Sequence, residues 1–307
     1  MDIFIQQIIN GLVLGSIYAL VALGYTMVYG IMGLINFAHG EVVMIGALVA
    51  LAVIKLLANS GLPGVVIVLI GLMAAALVCM AVGFTIERVA YRPLRKAPKL
   101  APLITAIGVS IVLQNLAMLI WGRNYHAFPP ILPNGEHEIF GATITSVQIA
   151  IIFIAAAMMG GLMVLINRTR LGRAMRATAE NPGIAQLMGV NINQIISLTF
   201  VIGSALAAVA GLMVSANYSI AHYYMGFVLG LKAFTAAVLG GIGNLAGAML
   251  GGILLGLIES LGAGYIGDLT GGVFGSNYQD VFAFFVLICV LVFRPSGLVG
   301  AKVSERA

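Results

Sequence analysis

Ionisable side chains are scarce in this 307-residue chain, and where they fall restricts the chemistry open to it. One group is Asn36-Phe37-Ala38-His39-Gly40-Glu41, a polar knot between two strongly apolar stretches. Its imidazole and carboxylate suit contact with a solute. They suit better a structural role at headgroup level, with Glu41 opening a helix whose positive N-terminal end favours its charge. A second group is the basic stretch from Arg168 to Ser197, which contains Glu180-Asn181-Pro182 and then Gly189. Asn followed by Pro is an N-cap with proline at the first helical position, and glycine is a natural C-terminal stop. The spacing predicts a helix of about two turns over 180–190. Ile184, Leu187 and Met188 form an apolar set on it, suited either to a groove on a partner protein or to the lipid surface. Other chemistry is missing. There is no G-x-x-x-x-G-K-[ST] phosphate loop, H-E-x-x-H site, cysteine pair at ligand spacing or G-x-S-x-G elbow. The chain is therefore not expected to be an enzyme, to hold a metal or cofactor, or to bind ATP itself.

The elements that position these groups follow from composition. Hydrophobic residues make up 61% of the chain and charged residues 8%, and the mean hydropathy is +1.10. An ordinary soluble domain carries roughly 25% charged residues, too many for this chain to supply, so lipid is its solvent. Residues 3–40, 56–86, 100–122, 139–167, 181–231 and 233–258 hold no Asp, Glu, Lys or Arg, and about 20 apolar residues suffice for one crossing. Gly, Pro and charge punctuation divides these runs into helices near 6–30, 41–58, 64–85, 101–121, 146–167, 197–218, 226–262 and 275–294. The expected fold is all-α: a polytopic integral membrane protein of about eight transmembrane helices, forming one domain over 1–307. The stretch 226–262 exceeds one span and is broken at Gly240-Gly241-Ile242-Gly243-Asn244, which predicts a broken or re-entrant pair. Irregular backbone at membrane depth survives only against protein or a watery cavity. Gly240, Gly241, Gly243 and Asn244 are therefore candidates for a translocation path, together with Asn36, His39 and Glu41, because ionisable groups at that depth are functional candidates by default.

Basic residues in the short loops set the orientation. Arg88, Arg92, Arg95, Lys96 and Lys99 face only Glu87; Arg168, Arg170, Arg173 and Arg176 face only Glu180; the tail has Arg294, Lys302 and Arg306 against Glu305. These three segments, and with them the C-terminus, are predicted to be cytoplasmic. Segment 122–145 and the acidic segment 259–280, with Glu259, Asp268 and Asp280, face outward, and the N-terminus falls outside. Asp280 reads as a solvated helix end. The net charge of +5 flanks apolar spans instead of forming a stripe, which argues against nucleic-acid binding. Gly11 with Gly15, Gly243 with Gly247 and Gly251, and Gly252 with Gly256 keep a four-residue spacing, as expected for close helix packing within the chain.

Seven blocks then carry a resemblance: GLINFAHGEVVMIGA at 33–47, IERVAYRPLR at 86–95, TAIGVSIVLQN at 105–115, GRAMRATAEN with GVNI across 172–192, TFVIGSALAAVAG at 199–211, KAFTAAVLGGIGNLAGAMLGG at 232–252 and FRPSGLVG at 293–300. In this order they resemble the permeases of high-affinity branched-chain amino acid ABC transporters, specifically the smaller of the two permease subunits. The resemblance implies a multi-pass protein of the bacterial or archaeal inner membrane. It also implies a heterodimer with a second permease, two ATPase subunits that bind the ATP, and a periplasmic substrate-binding protein delivering leucine, isoleucine or valine. Glu180, Asn181, Pro182, Ile184, Leu187, Met188 and Gly189 match the position of a short helix that docks into the ATPase in related permeases. Two rival readings remain at this point. A urea or short-amide importer shares much of the pattern, and an ion-coupled secondary carrier would show acidic residues buried mid-helix and inverted halves.

Overall fold

Long charge-free segments have one stable spanning form besides a closed barrel, the α-helix, which satisfies its backbone N–H and C=O groups internally. The computed structural model describes residues 2–95, 97–98, 100–132, 135–139, 141–272 and 278–300. Among them it forms α1 (Asp2–Met32), α2 (His39–Leu57), α3 (Gly64–Thr85), α4 (Leu100–Trp121), α5 (Ser146–Arg168), α6 (Arg170–Glu180), α7 (Pro182–Leu187), α8 (Ile192–Tyr218), α9 (Met225–Gly240), α10 (Leu245–Leu269) and α11 (Gln279–Phe293). A π-helical turn (Ile86–Tyr91) and a 3-10 turn (Arg92–Leu94) prolong α3. The strands β1 (His126–Ala127), β2 (Glu136–Ile139), β3 (Ala142–Thr145) and β4 (Ile220–Ala221) are short; β1 pairs with β4 and β2 with β3, both antiparallel. Lys96, Lys99, Lys302, Glu305 and Arg306 of the predicted basic segments, and the predicted start of the last helix at 275, lie outside the described residues.

Among the described residues seven helical segments are long and apolar enough to cross a bilayer, and α9 and α11 are shorter apolar helices. The predicted 226–262 stretch is indeed two helices, interrupted between Gly240 and Leu245. At 16 residues, α9 is about 24 Å long, short of the roughly 30 Å hydrocarbon core.

The chain divides into two compact units, one of Met1–Thr26, Pro133–Ala157 and Lys232–Ala307, the other of Met27–Leu132 and Met158–Leu231. In the first, α1 and α10 meet through the glycines singled out by spacing. A Cβ on Gly11 would lie 2.8 Å from the Leu257 Cα, and one on Gly15 would lie 2.7 Å from the Ile253 Cα. Gly251 and Gly247 likewise meet α9 backbone at Ala236 and Gly240. Gly243 does not belong to that face. It precedes α10 in the interrupting turn, with φ +94°, and Gly241 has φ +107°, both conformations that glycine alone adopts cheaply.

In the second unit α2, α3 and α8 pack on one another. α2 is buried along most of its length, whereas α3 and α4 present Leu77, Leu119 and Ile120 outward, as lipid-facing helices do. Gly46 would drive a Cβ to 2.7 Å from the Ala208 Cα, and Gly211 would drive one into the Val43 carbonyl and the Ala47 amide. The helices of this core approach at backbone distance.

Three expectations change. The basic stretch after residue 168 is not a loop but the helix α6, started by Thr169, whose hydroxyl oxygen accepts from the Gly172 amide at 3.0 Å. α8 begins at Ile192, not near 197, because the Asn191 side chain accepts from the Gln194 amide at 3.2 Å and caps it there. Glu259 is not in an outward loop but within α10 and 1% exposed.

A methyl group separates the two kinds of glycine. Gly211→Ala should destabilise the chain by roughly 1–3 kcal/mol through overpacking. Gly108→Ala, on an exposed face of α4 with nothing within 4 Å, should stabilise it by roughly 0.5–1 kcal/mol. Melting temperatures in detergent that move in opposite directions would bear this out; equal shifts would show that the backbones do not meet at Gly211.

Candidate functional site

The short helix predicted at 180–190 is formed by its two ends. Asn181 is extended (φ −153°, ψ 102°), and its side-chain oxygen accepts from the Ile184 amide at 3.0 Å, with Pro182 at the first helical position. At the other end Gly189 takes φ +86°. Its amide donates to the Gln186 carbonyl and the Val190 amide to the Ala185 carbonyl, both at 3.0 Å, the paired bonds of a Schellman stop. α7 is thus one short helix with both ends capped. Ala185 is its buried anchor, while Ile184, Leu187 and Met188 are 59%, 87% and 81% exposed. Glu180 closes α6 one residue before the Asn181 cap and is exposed.

What holds this region is a residue that sequence reasoning counted only as a counter-charge. Glu87 sits in the π-helical turn, is 0% exposed and gathers three partners. Arg92 lies 3.3 Å from it, Arg95 donates to it, and the Ser197 hydroxyl donates to it at 2.6 Å. Arg92 also donates to the Ser197 hydroxyl oxygen at 3.0 Å, and Arg95 to the Asn193 side-chain oxygen at 2.6 Å. One carboxylate therefore fastens the end of α3 to the first turns of α8, directly after α7. Burial draws the Arg95 guanidinium below its ordinary pKa, opposed by the neighbouring Glu87 charge; arginine nonetheless stays protonated at physiological pH. The IERVAYR run was visible in the sequence, but nothing in it marked Glu87 as buried.

The Asn36–Glu41 knot is a tight turn leading into α2. The Asn36 side-chain oxygen accepts from the Ala38 amide at 3.2 Å and from the Tyr91 hydroxyl at 3.1 Å. Asn36, His39 and Glu41 are 3%, 2% and 1% exposed, so they do not sit solvated at a headgroup surface. Glu41 does lie in the first turn of its helix. One of its oxygens accepts from the Ser110 hydroxyl at 3.1 Å. The α9 backbone approaches here, where a Cβ on Gly40 would lie 2.8 Å from the Gly230 Cα.

Gly240, Gly241, Gly243 and Asn244 belong to the other unit. The Asn244 side-chain oxygen accepts from the Gly247 amide at 3.1 Å and so caps α10, and its amide nitrogen donates to the Val299 carbonyl at 2.9 Å. The Leu298 and Val299 amides donate to the carbonyls of Leu239 and Gly240, which gives the last two carbonyls of α9 their partners. The same unit holds a second cluster that sequence reasoning missed. Lys232, midway along α9, lies 2.6 Å from Glu259 and 2.7 Å from Asp280, and the Tyr18 hydroxyl donates to Glu259 at 2.9 Å. Asp280 is accordingly an ion-paired helix end and not a merely solvated one. Among the described residues no group of three His, Cys, Asp or Glu side chains could hold a metal ion.

A family described as the permease component of branched-chain amino acid transport systems matches residues 7–291. The chain belongs to this family. The permease is 51% identical to the high-affinity branched-chain amino acid transport system permease protein BraD of Pseudomonas aeruginosa, over 99% of this chain and 98% of that one. It is 46% identical to the corresponding protein LivH of Escherichia coli, over 99% and 97%. A solved structure, PsaBC from Streptococcus pneumoniae in complex with Fab, is similar at 14% identity and a TM-score of 0.49 over 94% of this chain and 91% of that one, a likeness too slight to bear on function. The permease is thus a multi-pass membrane protein of an ABC transport system and not an enzyme. The urea and ion-coupled readings give way to it.

Removing one partner of a buried ion pair strands the other. Glu87→Gln should therefore cost about 3 kcal/mol, the low end for such a loss because Arg92 is part-exposed. The detergent melting temperature should fall, and Glu87→Gln with Arg95→Gln should recover part of the loss. A single variant that melts like the wild type would show that the cluster does not hold this end of the molecule.

Proposed function

We propose that this permease imports leucine, isoleucine or valine across the bacterial inner membrane. It does so as one half of a heterodimer with a second permease, between which the solute passes. A periplasmic binding protein delivers the amino acid, and two separate ATPase subunits bind and hydrolyse the ATP. The observation that carries this reading is full-length identity of 51% and 46% to two permeases named for high-affinity branched-chain amino acid transport. The basic segments face the cytoplasm, following the excess of Lys and Arg in inward loops, and the C-terminus lies on that side.

In this reading α7 is the mechanical handle. Its exposed Ile184, Leu187 and Met188 offer the apolar face that a helix lays into a partner's groove. Its two caps fix its shape, and the Glu87 cluster ties the start of α8 to the end of α3. Closure of the ATPase pair therefore moves α7 and the ends of two spanning helices together. Asn36, His39, Glu41 and the Gly240–Asn244 turn stay candidates for the path, the first three because polar groups at membrane depth are costly to keep. Of the buried carboxylates, Glu259 pairs with Lys232 and Glu87 with Arg92 and Arg95, while Glu41 accepts from Ser110 through one oxygen only.

Leu187→Asp places a charge on the exposed apolar face of α7. Uptake of radiolabelled leucine should fall at least about tenfold, equivalent to 1.4 kcal/mol of lost docking. Membrane insertion should be unchanged and the ATPases should no longer co-purify. Wild-type uptake by this variant, or leucine accumulation after deletion of the ATPases, would refute the reading.

A further inference from the structure

A cavity of about 530 Å³ opens between the end of α3 and the start of α8, within the roughly 300–1,000 Å³ range of small-molecule sites. It lies beside the handle but is not lined by it. Its lining is ordered along both helices. On α3 and its extension the sequence runs from Phe84 to Arg88 to Arg92, and on α8 it runs, in the opposite sense, from Val201 and Leu198 to Gln194. Each helix therefore gives the cavity an apolar end towards the middle of its span and a polar end at its terminus. Phe84 and Leu198 are 39% and 41% exposed, as lipid-facing side chains are.

The charge at the polar end is unbalanced. Arg88, Arg92 and Arg95 face the single carboxylate of Glu87, and only Arg92 and Arg95 pair with it. Arg88 is exposed, makes no ion pair among the described residues, and lies 5.8 Å over the Phe84 ring. Its guanidinium offers the planar donor set that matches a phosphate oxygen pair. A ligand complementary to this cavity carries a phosphate anion at one end and a hydrocarbon chain at the other, in line with the spanning helices.

We propose that this cavity binds an anionic phospholipid, with its phosphate on Arg88 and Arg92 and an acyl chain along Phe84, Leu198 and Val201. The site rests on the proposed orientation, which puts its polar end at the cytoplasmic leaflet, where anionic lipid attracts basic side chains. Bound there, the lipid bridges the end of α3 and the start of α8, the same two ends that Glu87 fastens.

The test uses the full-length permease purified in detergent with the subunits that accompany it, titrated with dioctanoyl phosphatidylglycerol and read by melting temperature and native mass spectrometry. Phosphatidylglycerol should raise the melting temperature and remain bound, while dioctanoyl phosphatidylcholine and inorganic phosphate should do neither. Arg88→Glu should weaken apparent affinity about tenfold, counting roughly 1 kcal/mol for the charge removed and a further repulsion. Arg173→Glu, an exposed basic residue of α6, should bind as the wild type does. Should Arg88→Glu fail to accumulate, Arg88→Gln serves, with a smaller loss. The proposal falls if the Arg88 variants bind unchanged, if Arg173→Glu loses as much, if phosphatidylcholine binds equally, or if inorganic phosphate competes as well as the lipid, which would make this a free-anion site. Leucine uptake measured alongside separates the two readings, since lipid binding is scored whether or not transport occurs.

Discussion

Helices surrounded by lipid gain nothing by hiding apolar side chains from it, so the contacts that hold them must come from close packing and from polar bonds. Backbone approach at glycine is the constraint on which both units depend. Gly11 and Gly15 let α1 reach α10 to backbone distance, and Gly46 and Gly211 do the same for α2 and α8. Each such contact brings a whole helical surface within dispersion range, and the sum of many weak contacts replaces the missing hydrophobic force. Glycine in a helix would be a weakness in water. Here it sets how near the framework can come, and with it the positions of every side chain discussed above.

Onto that framework the chain places a few expensive polar groups, each with partners. Glu87 meets two guanidiniums and a hydroxyl; Lys232 meets two carboxylates. Such clusters add little net stability, because desolvation offsets the attraction, yet breaking one is costly. They join the end of α3 to the start of α8, and α9 to α10 and α11.

Much of this was legible in the residues because the signals are local. Asn181-Pro182 and Gly189 bracket α7 within a residue or two of where it forms, since caps and proline act through the adjacent backbone alone. The charge-free runs gave the spans for the same reason. What escaped the sequence was pairing at a distance. Glu259 reads as a loop residue until Lys232, 27 positions earlier, is known to meet it, and Glu87 reads as a surface counter-ion until Ser197, 110 positions later, donates to it. α6 reads as a linker because its arginines resemble a solvated one; the burial of Gly172, Met175 and Thr178 along one side reveals its two faces. Gly243 reads as a helix-face glycine because spacing alone does not tell a helical glycine from one whose φ is positive.

The six residues of α7 carry one further implication. A helix that, with its C-cap, leaves Leu187 and Met188 almost wholly uncovered suits a subunit that seldom exists alone. Made in excess over its partners, this chain would display an adhesive tip, the type of feature by which orphaned subunits are caught and degraded. The cell's supply of companions, more than the chain's own synthesis, would then set how many copies survive.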